Sequence, residues 1–219
     1  MLTLSNTKVF NWDGAIRGMR NPMNSWDKSD TDFTMKTNDI GVEYPTIGEN
    51  DYALMKKLAK AGSDHRKYLR QIFVCVDINA PLYWWKEFDT YKVGTVANSC
   101  STMHKIHSKE FTLDDFSHEK LISTMGESFE GLDALCLVID VLNASRNKYN
   151  ETKDKCHWYN MIQLLPTSYN QLRTITLSYE NLCAIYKARK NHKLDEWHIV
   201  CDWIKALPYS ELVTGEYPQ

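Results

Sequence analysis

The strongest constraint on this chain is a change of hydrophobic period in its first half. Over residues 68–78, Ile72, Val74, Val76 and Ile78 alternate with Phe73, Cys75 and Asp77. A period of two with β-branched residues on one face predicts a strand. The pattern then breaks at Asn79-Ala80-Pro81. Proline suits the first helical position, where its missing N–H has no partner to lose. The helix is expected to run through Tyr83, Trp84, Trp85 and Phe88 to about Lys92, with Gly94 ending it. Most other apolar spacing is helical. Leu54, Leu58 and Ala61 form one stripe, and Leu132, Leu135, Cys136, Ile139 and Leu142 form a second. Trp158, Met161, Ile162 and Leu165 make a third, ended by Pro166. Leu182, Ile185 and Tyr186, then Trp197, Val200, Cys201, Ile204 and Leu207, give two more. Residues 173–177 read as a short strand, and Thr112-Leu113-Asp114-Asp115 as a capped helix start. Many helices around a small central sheet predict an α+β fold. We expect one domain over residues 1–219, with 1–48 as an irregular N-terminal segment.

Charge and cysteine usage narrow the function class. The 26 Lys and Arg residues nearly balance 28 Asp and Glu, leaving a formal charge of −2. That argues against a protein living on the nucleic-acid backbone, which requires a positive field. No apolar run reaches the ~18 residues of a membrane span. The first eight residues lack the basic and apolar regions of a secretory signal, so a cytoplasmic location is expected. None of the six cysteines forms a C-x-x-C pair, and most sit in apolar patterns. They are expected to be reduced and buried, with Cys100 the exception. The stretch at residues 17–26 holds Met19, Met23 and Trp26 and reads as a structured loop that packs on something or covers a site.

Chemistry concentrates between residues 62 and 107. Arg66, Lys67 and Arg70 lie at the entry to the expected strand, where Arg66 and Arg70 would share a face. They would suit a phosphate, but on this segment alone a solvated edge kept from aggregating by charge is the favoured reading. Four aromatics in residues 83–88 cannot all face one core, so some could meet a planar ligand or a partner. Asn98-Ser99-Cys100-Ser101-Thr102 follows a glycine-containing break, and its small hydroxyl residues could bind an anion. His104 is the candidate base for a nucleophilic Cys100. His104, His107 and Glu110 recur at intervals of three. Without a Cys pair or an H-E-x-x-H pattern, that spacing assigns no metal.

At these residues the sequence resembles the flavin-dependent thymidylate synthases, in the order of its features from about residue 49 to 206. The family's signature is Arg-His-Arg followed after seven residues by Ser, in a loop Asn-Glu-x-Ser-x-Arg-Tyr. Thr90-Tyr91-Lys92 stands at the first position, and residues 98–104 read Asn-Ser-Cys-Ser-Thr-Met-His, matching at Asn98 and Ser101. The interval from Lys92 to Ser101 is one residue longer than in the family, and Lys86-Glu87 stands where the family has Arg-Gln. The family also carries two arginines nine residues apart before its last helix. Glu180 replaces the first and Arg189 matches the second.

The resemblance implies a fold like that of the thymidylate synthase-complementing proteins and a homotetramer. It implies reductive methylation of a uridylate-type nucleotide, with FAD as cofactor and NADPH and methylene-tetrahydrofolate as co-substrates. Arg189 would polarise the pyrimidine. Arg66, Arg70, Gln71, Lys92 and Asn98 would hold the flavin. Lys86, Tyr91, Ser99, Ser101 and His104 would hold the nucleotide. The departures remove planar guanidinium forks and reverse one charge, which weakens an anion site. The other readings are a catalytically inactive nucleotide-binding protein and an oligomeric interaction protein on the same fold.

Overall fold

In the computed structural model, residues 1–123 and 130–217 are described. Among the described residues the strands and α-helices are β1 (Thr3–Phe10), α1 (Trp12–Arg20), β2 (Asp32–Thr37), β3 (Glu43–Thr46), α2 (Glu49–Lys60), β4 (Phe73–Pro81), α3 (Leu82–Phe88), β5 (Val96–Ser99), α4 (Gly131–Thr152), α5 (Lys155–Leu164), β6 (Asn170–Ser178), α6 (Tyr179–Arg189), α7 (Asp195–Ala206) and α8 (Glu211–Thr214). One sheet has the order β1-β4-β6-β5, and β2 and β3 form a separate antiparallel pair. The architecture is α+β, as the periodicities predict.

Four expectations are corrected. Residues 1–48 are not irregular, since they form β1, α1, β2 and β3. The sequence reading missed them because β2 is exposed throughout and β1 nearly so, leaving little apolar alternation to detect. The strand begins at Phe73 rather than Tyr68. Residues 67–70 instead wind into a 3₁₀ turn that buries the consecutive Tyr68 and Leu69, which a one-faced strand cannot do. Helix α3 stops at Phe88, short of Lys92, and the Thr90 hydroxyl donates to the Glu87 carbonyl at 2.7 Å. That hydroxyl takes a carbonyl the next helical turn would have used. Among the cysteines, Cys183 and Cys201 are buried as expected, whereas Cys136 and Cys156 are exposed along with Cys100.

By their contacts the residues fall into two compact units. The first comprises residues 1–3, 79–90 and 99–173. Its core joins Phe111 and Phe116 to Leu135, Ile139 and Leu142 of α4 and Met161 of α5. Trp84, Trp85 and Phe88 of α3 are buried here with ring centroids about 5 Å apart, so the aromatic run is core rather than a ligand platform. The backbone N–H groups of Leu82 and Tyr83, orphan donors at the start of α3, are taken up by Tyr169 and Thr167 carbonyls.

The second unit comprises residues 4–78, 91–98 and 174–219, of which residues up to 217 are described. Trp12 packs edge-on against Tyr179 and Tyr209, and the Tyr179 hydroxyl donates to the Pro208 carbonyl at 2.7 Å. Trp203 of α7 donates to the Thr7 hydroxyl of β1 at 3.1 Å. A buried ion pair organises residues 20–31. Arg20 Nε donates to Asp51 Oδ1 at 2.6 Å, while its two Nη groups donate to the Ser25 and Lys28 carbonyls. The other Asp51 oxygen accepts from Ser29 and Thr31 hydroxyls and from the Asp30 and Thr31 amides. Asp30 caps α2 from a distance, its carboxylate accepting from the Asn50 and Asp51 amides at 2.9 and 3.1 Å. The segment at residues 17–26 is therefore the end of α1 and a turn, in which Met19 and Arg20 are buried as packing requires, whereas Met23 and Trp26 are exposed.

Candidate functional site

Arg189 sits at the last residue of α6, where a cation is favoured by the helix dipole. Its Nε donates to the Tyr91 hydroxyl at 2.9 Å. Its guanidinium lies 4.7 Å from the Trp197 ring centroid and 5.5 Å from that of Tyr91. Trp197 is fully buried at the start of α7. Two expected nucleotide residues ninety-eight positions apart thus meet in one unit, half-buried against an indole. Stacking fixes the plane of the guanidinium and reduces the rotamer freedom it would lose on meeting a planar ligand. Lys92 follows Tyr91 and is exposed, and Asn98 is exposed at β5.

The residues expected to hold flavin fit that group poorly. Arg66 is bound to Glu180, with Nε 2.8 Å from Oε2 and Nη2 donating to Oε1 at 3.1 Å. Burial pushes the guanidinium pKa down, but the contact with Glu180 outweighs it and the net shift is upward. The charge of Arg66 is therefore neutralised within the protein. Gln71 gives its backbone carbonyl to Asn11 at 2.8 Å. Its amide oxygen packs so closely on Gly18 that a Cβ there would lie 2.5 Å away. Arg70 is exposed, with a long 3.4 Å contact to the Ser63 carbonyl. Arg66 and Arg70 do not share an extended face, because a 3₁₀ turn separates them. No pair of these guanidiniums offers a bidentate pyrophosphate clamp.

In the other unit, Ser101 borders a cavity of about 690 Å³ lined also by Asn79, Cys100, Lys105, Lys109 and Gln171. The Ser101 hydroxyl accepts from the amides of His104 at 2.9 Å and Met103 at 3.2 Å, which fixes the turn and places His104 beside Ser101. Ser99 is exposed at the end of β5, and Lys86 is exposed on α3. Lys109 and Asp115, both in the lining, form an ion pair with each other.

The sequence reading missed the residue that organises this wall. Arg173 on β6 donates from Nε to Gln171 Oε1 at 3.0 Å and from Nη1 to Asp89 at 2.9 Å. Its guanidinium stacks 4.2 Å over Trp85. An arginine inside an apolar strand run was the available signal. A separate trio, Asp154, Cys156 and His157, brings its ligand atoms within 4.8 Å of one another. Asp154 is already the N-cap of α5, accepting from the Cys156 amide at 3.0 Å.

No family model and no curated protein sequence matches the chain. Solved structures do. A thymidylate synthase X from Helicobacter pylori, crystallised with FAD and dUMP, superposes with a TM-score of 0.64 at 14% identity, covering 98% of this chain and 96% of that one. A second structure of the Helicobacter pylori enzyme with the same ligands gives 0.65 at 14% identity, with 98% and 97% covered. A UMP/dUMP methylase, PolB from Streptomyces cacaoi, bound with 5-Br UMP, gives 0.60 at 13% identity, with 98% and 94% covered. The chain therefore has the fold of the flavin-dependent thymidylate synthases over nearly its whole length.

Proposed function

We propose that this protein binds a uridylate-type nucleotide, with Arg189 meeting the pyrimidine. The observation that carries the reading is the seating of Arg189 between Tyr91 and Trp197. A guanidinium fixed in this way can donate to a carbonyl in the plane of a base, and Lys92 adds a cation beside Tyr91 for a phosphate. The nucleotides carried by the structurally similar proteins support the ligand class. Ser99, Ser101, His104 and Lys86 are proposed as nucleotide contacts within the first unit, considered by itself.

A second reading is reductive methylation of that nucleotide with FAD, NADPH and methylene-tetrahydrofolate. The whole-length likeness to structures holding FAD supports it. The closed Arg66–Glu180 pair favours the first reading, a nucleotide-binding protein without that flavin contact. A homotetramer in the cytoplasm is proposed for either. No helix among the described residues is long and apolar enough to cross a membrane.

Thermal denaturation with and without dUMP or UMP tests the reading. At a ligand concentration about 100 times Kd, stabilisation is about 2.7 kcal/mol. Arg189→Ala is expected to abolish it, and unchanged stabilisation in that variant would remove Arg189 from the site. A yellow preparation with flavin absorbance selects the second reading over the first. Light scattering reports the oligomer.

A further inference from the structure

We propose that Arg173 is a positioning residue for the Cys100–Ser101 turn, acting through the side-chain amide of Gln171. An arginine side chain can only donate, and a backbone carbonyl can only accept. Gln171 stands between one of each. Its Oε1 accepts from Arg173 Nε at 3.0 Å, and its Nε2 donates to the Cys100 carbonyl at 2.7 Å. The amide satisfies both neighbours in one orientation only, so the guanidinium determines which end faces the turn. Arg173 is itself fixed by the face of buried Trp85 and by Asp89. Trp85 in turn donates to the Gln171 backbone carbonyl at 2.9 Å.

The turn is thereby held at both ends of one residue. Cys100 receives the Gln171 amide at its carbonyl and donates its own N–H to the Leu172 carbonyl at 2.9 Å. Cys100, Ser101, Gln171 and Leu172 line the same cavity, whereas Arg173 does not. Gln171 is 8% exposed, so loss of its partner leaves a buried polar group poorly satisfied. The inference needs only this geometry for the ordering of the turn. Its consequence for ligand binding rests on the nucleotide reading above.

Hydrogen–deuterium exchange separates the two. In Arg173→Ala, amides in residues 96–104 are expected to exchange about tenfold faster, the equivalent of one lost hydrogen bond, while α4 is unchanged. Gln171→Met removes the relay without touching Arg173 and is expected to give the same local rise, should Arg173→Ala fail to fold. Arg173→Lys keeps a charge for Asp89 but has no guanidinium plane or Nε donor, and should behave like Arg173→Ala. No rise at residues 96–104 in the folded variants, or an equal rise in α4, overturns the proposal. With dUMP as probe, the same variants are expected to show less thermal stabilisation than wild-type protein. If wild-type protein ignores dUMP, the nucleotide reading fails and the exchange result still decides the role of Arg173.

Discussion

Replacing Asp51 by alanine would remove the centre of a buried polar network. Asp51 is fully buried and the Arg20 side chain is 4% exposed. The carboxylate accepts from Arg20, two hydroxyls and two amides. Removing one partner of a buried ion pair costs about 3–5 kcal/mol, because the other charge stays behind uncompensated. Counting instead the four neutral donors at about 0.5–1.5 kcal/mol each gives about 2–6 kcal/mol, which overlaps the first range. For a chain of this length, that loss lowers Tm by about 10 °C. Urea denaturation followed by circular dichroism should show a lower midpoint with an unchanged slope. A loss below about 1 kcal/mol would refute the argument. The pH dependence gives a second check. Burial pushes the Asp51 carboxyl up, but the hydrogen bonds from Thr31, Ser29 and Arg20 outweigh it and hold the pKa below its ordinary 3.8. A folded pKa below the unfolded value means the contribution is complete above the unfolded value and is lost as pH falls through the folded one. Asp51→Asn should flatten that part of the acid limb, and an acid limb of unchanged slope would contradict the assignment.

Three other outcomes follow from the packing. Burial pushes the Cys183 thiol up to about 12, so at pH 8 it stays protonated, and Cys183 should label with a disulfide reagent only after denaturation, whereas exposed Cys136 labels at once; equal native-state rates would contradict this. A Cβ at Gly48 would lie 2.3 Å from Asp30, including its backbone oxygen, so Gly48→Ala should displace the cap of α2 and cost about 1–3 kcal/mol, measured by denaturant titration. Both compact units are assembled from separated stretches of chain, so we propose that residues 1–219 unfold as a single domain; tryptophan fluorescence and far-ultraviolet circular dichroism should give coincident transitions, and two separated midpoints would show otherwise.

Periodicity made the helices and the central strand legible. The stripe from Leu132 to Leu142 became α4, and that from Trp197 to Leu207 became α7, because each buries one face and the 3.6-residue period survives in sequence. The strand start was misplaced for a physical reason: a 3₁₀ turn can bury two successive residues, and Tyr68 and Leu69 extended the apolar run into it. Strand β2 left no trace in the pattern because no residue of it is buried. Within the candidate site, the hydrogen bond between Arg189 and Tyr91 was not readable, since ninety-eight positions separate them; the resemblance assigned each to the nucleotide without pairing them. The partners of Arg66 and Arg173 were not readable. A charge in a sequence shows that a partner is needed and says nothing of which carboxylate or amide, brought from another element, supplies it.

The hydrogen bond from Trp203 to Thr7 joins nearly the two extremes of the chain. During synthesis β1 therefore leaves the ribosome long before the helix that supplies this partner exists. For that interval the Thr7 hydroxyl depends on solvent or a chaperone, and a stall before α7 is made leaves it without its Trp203 partner.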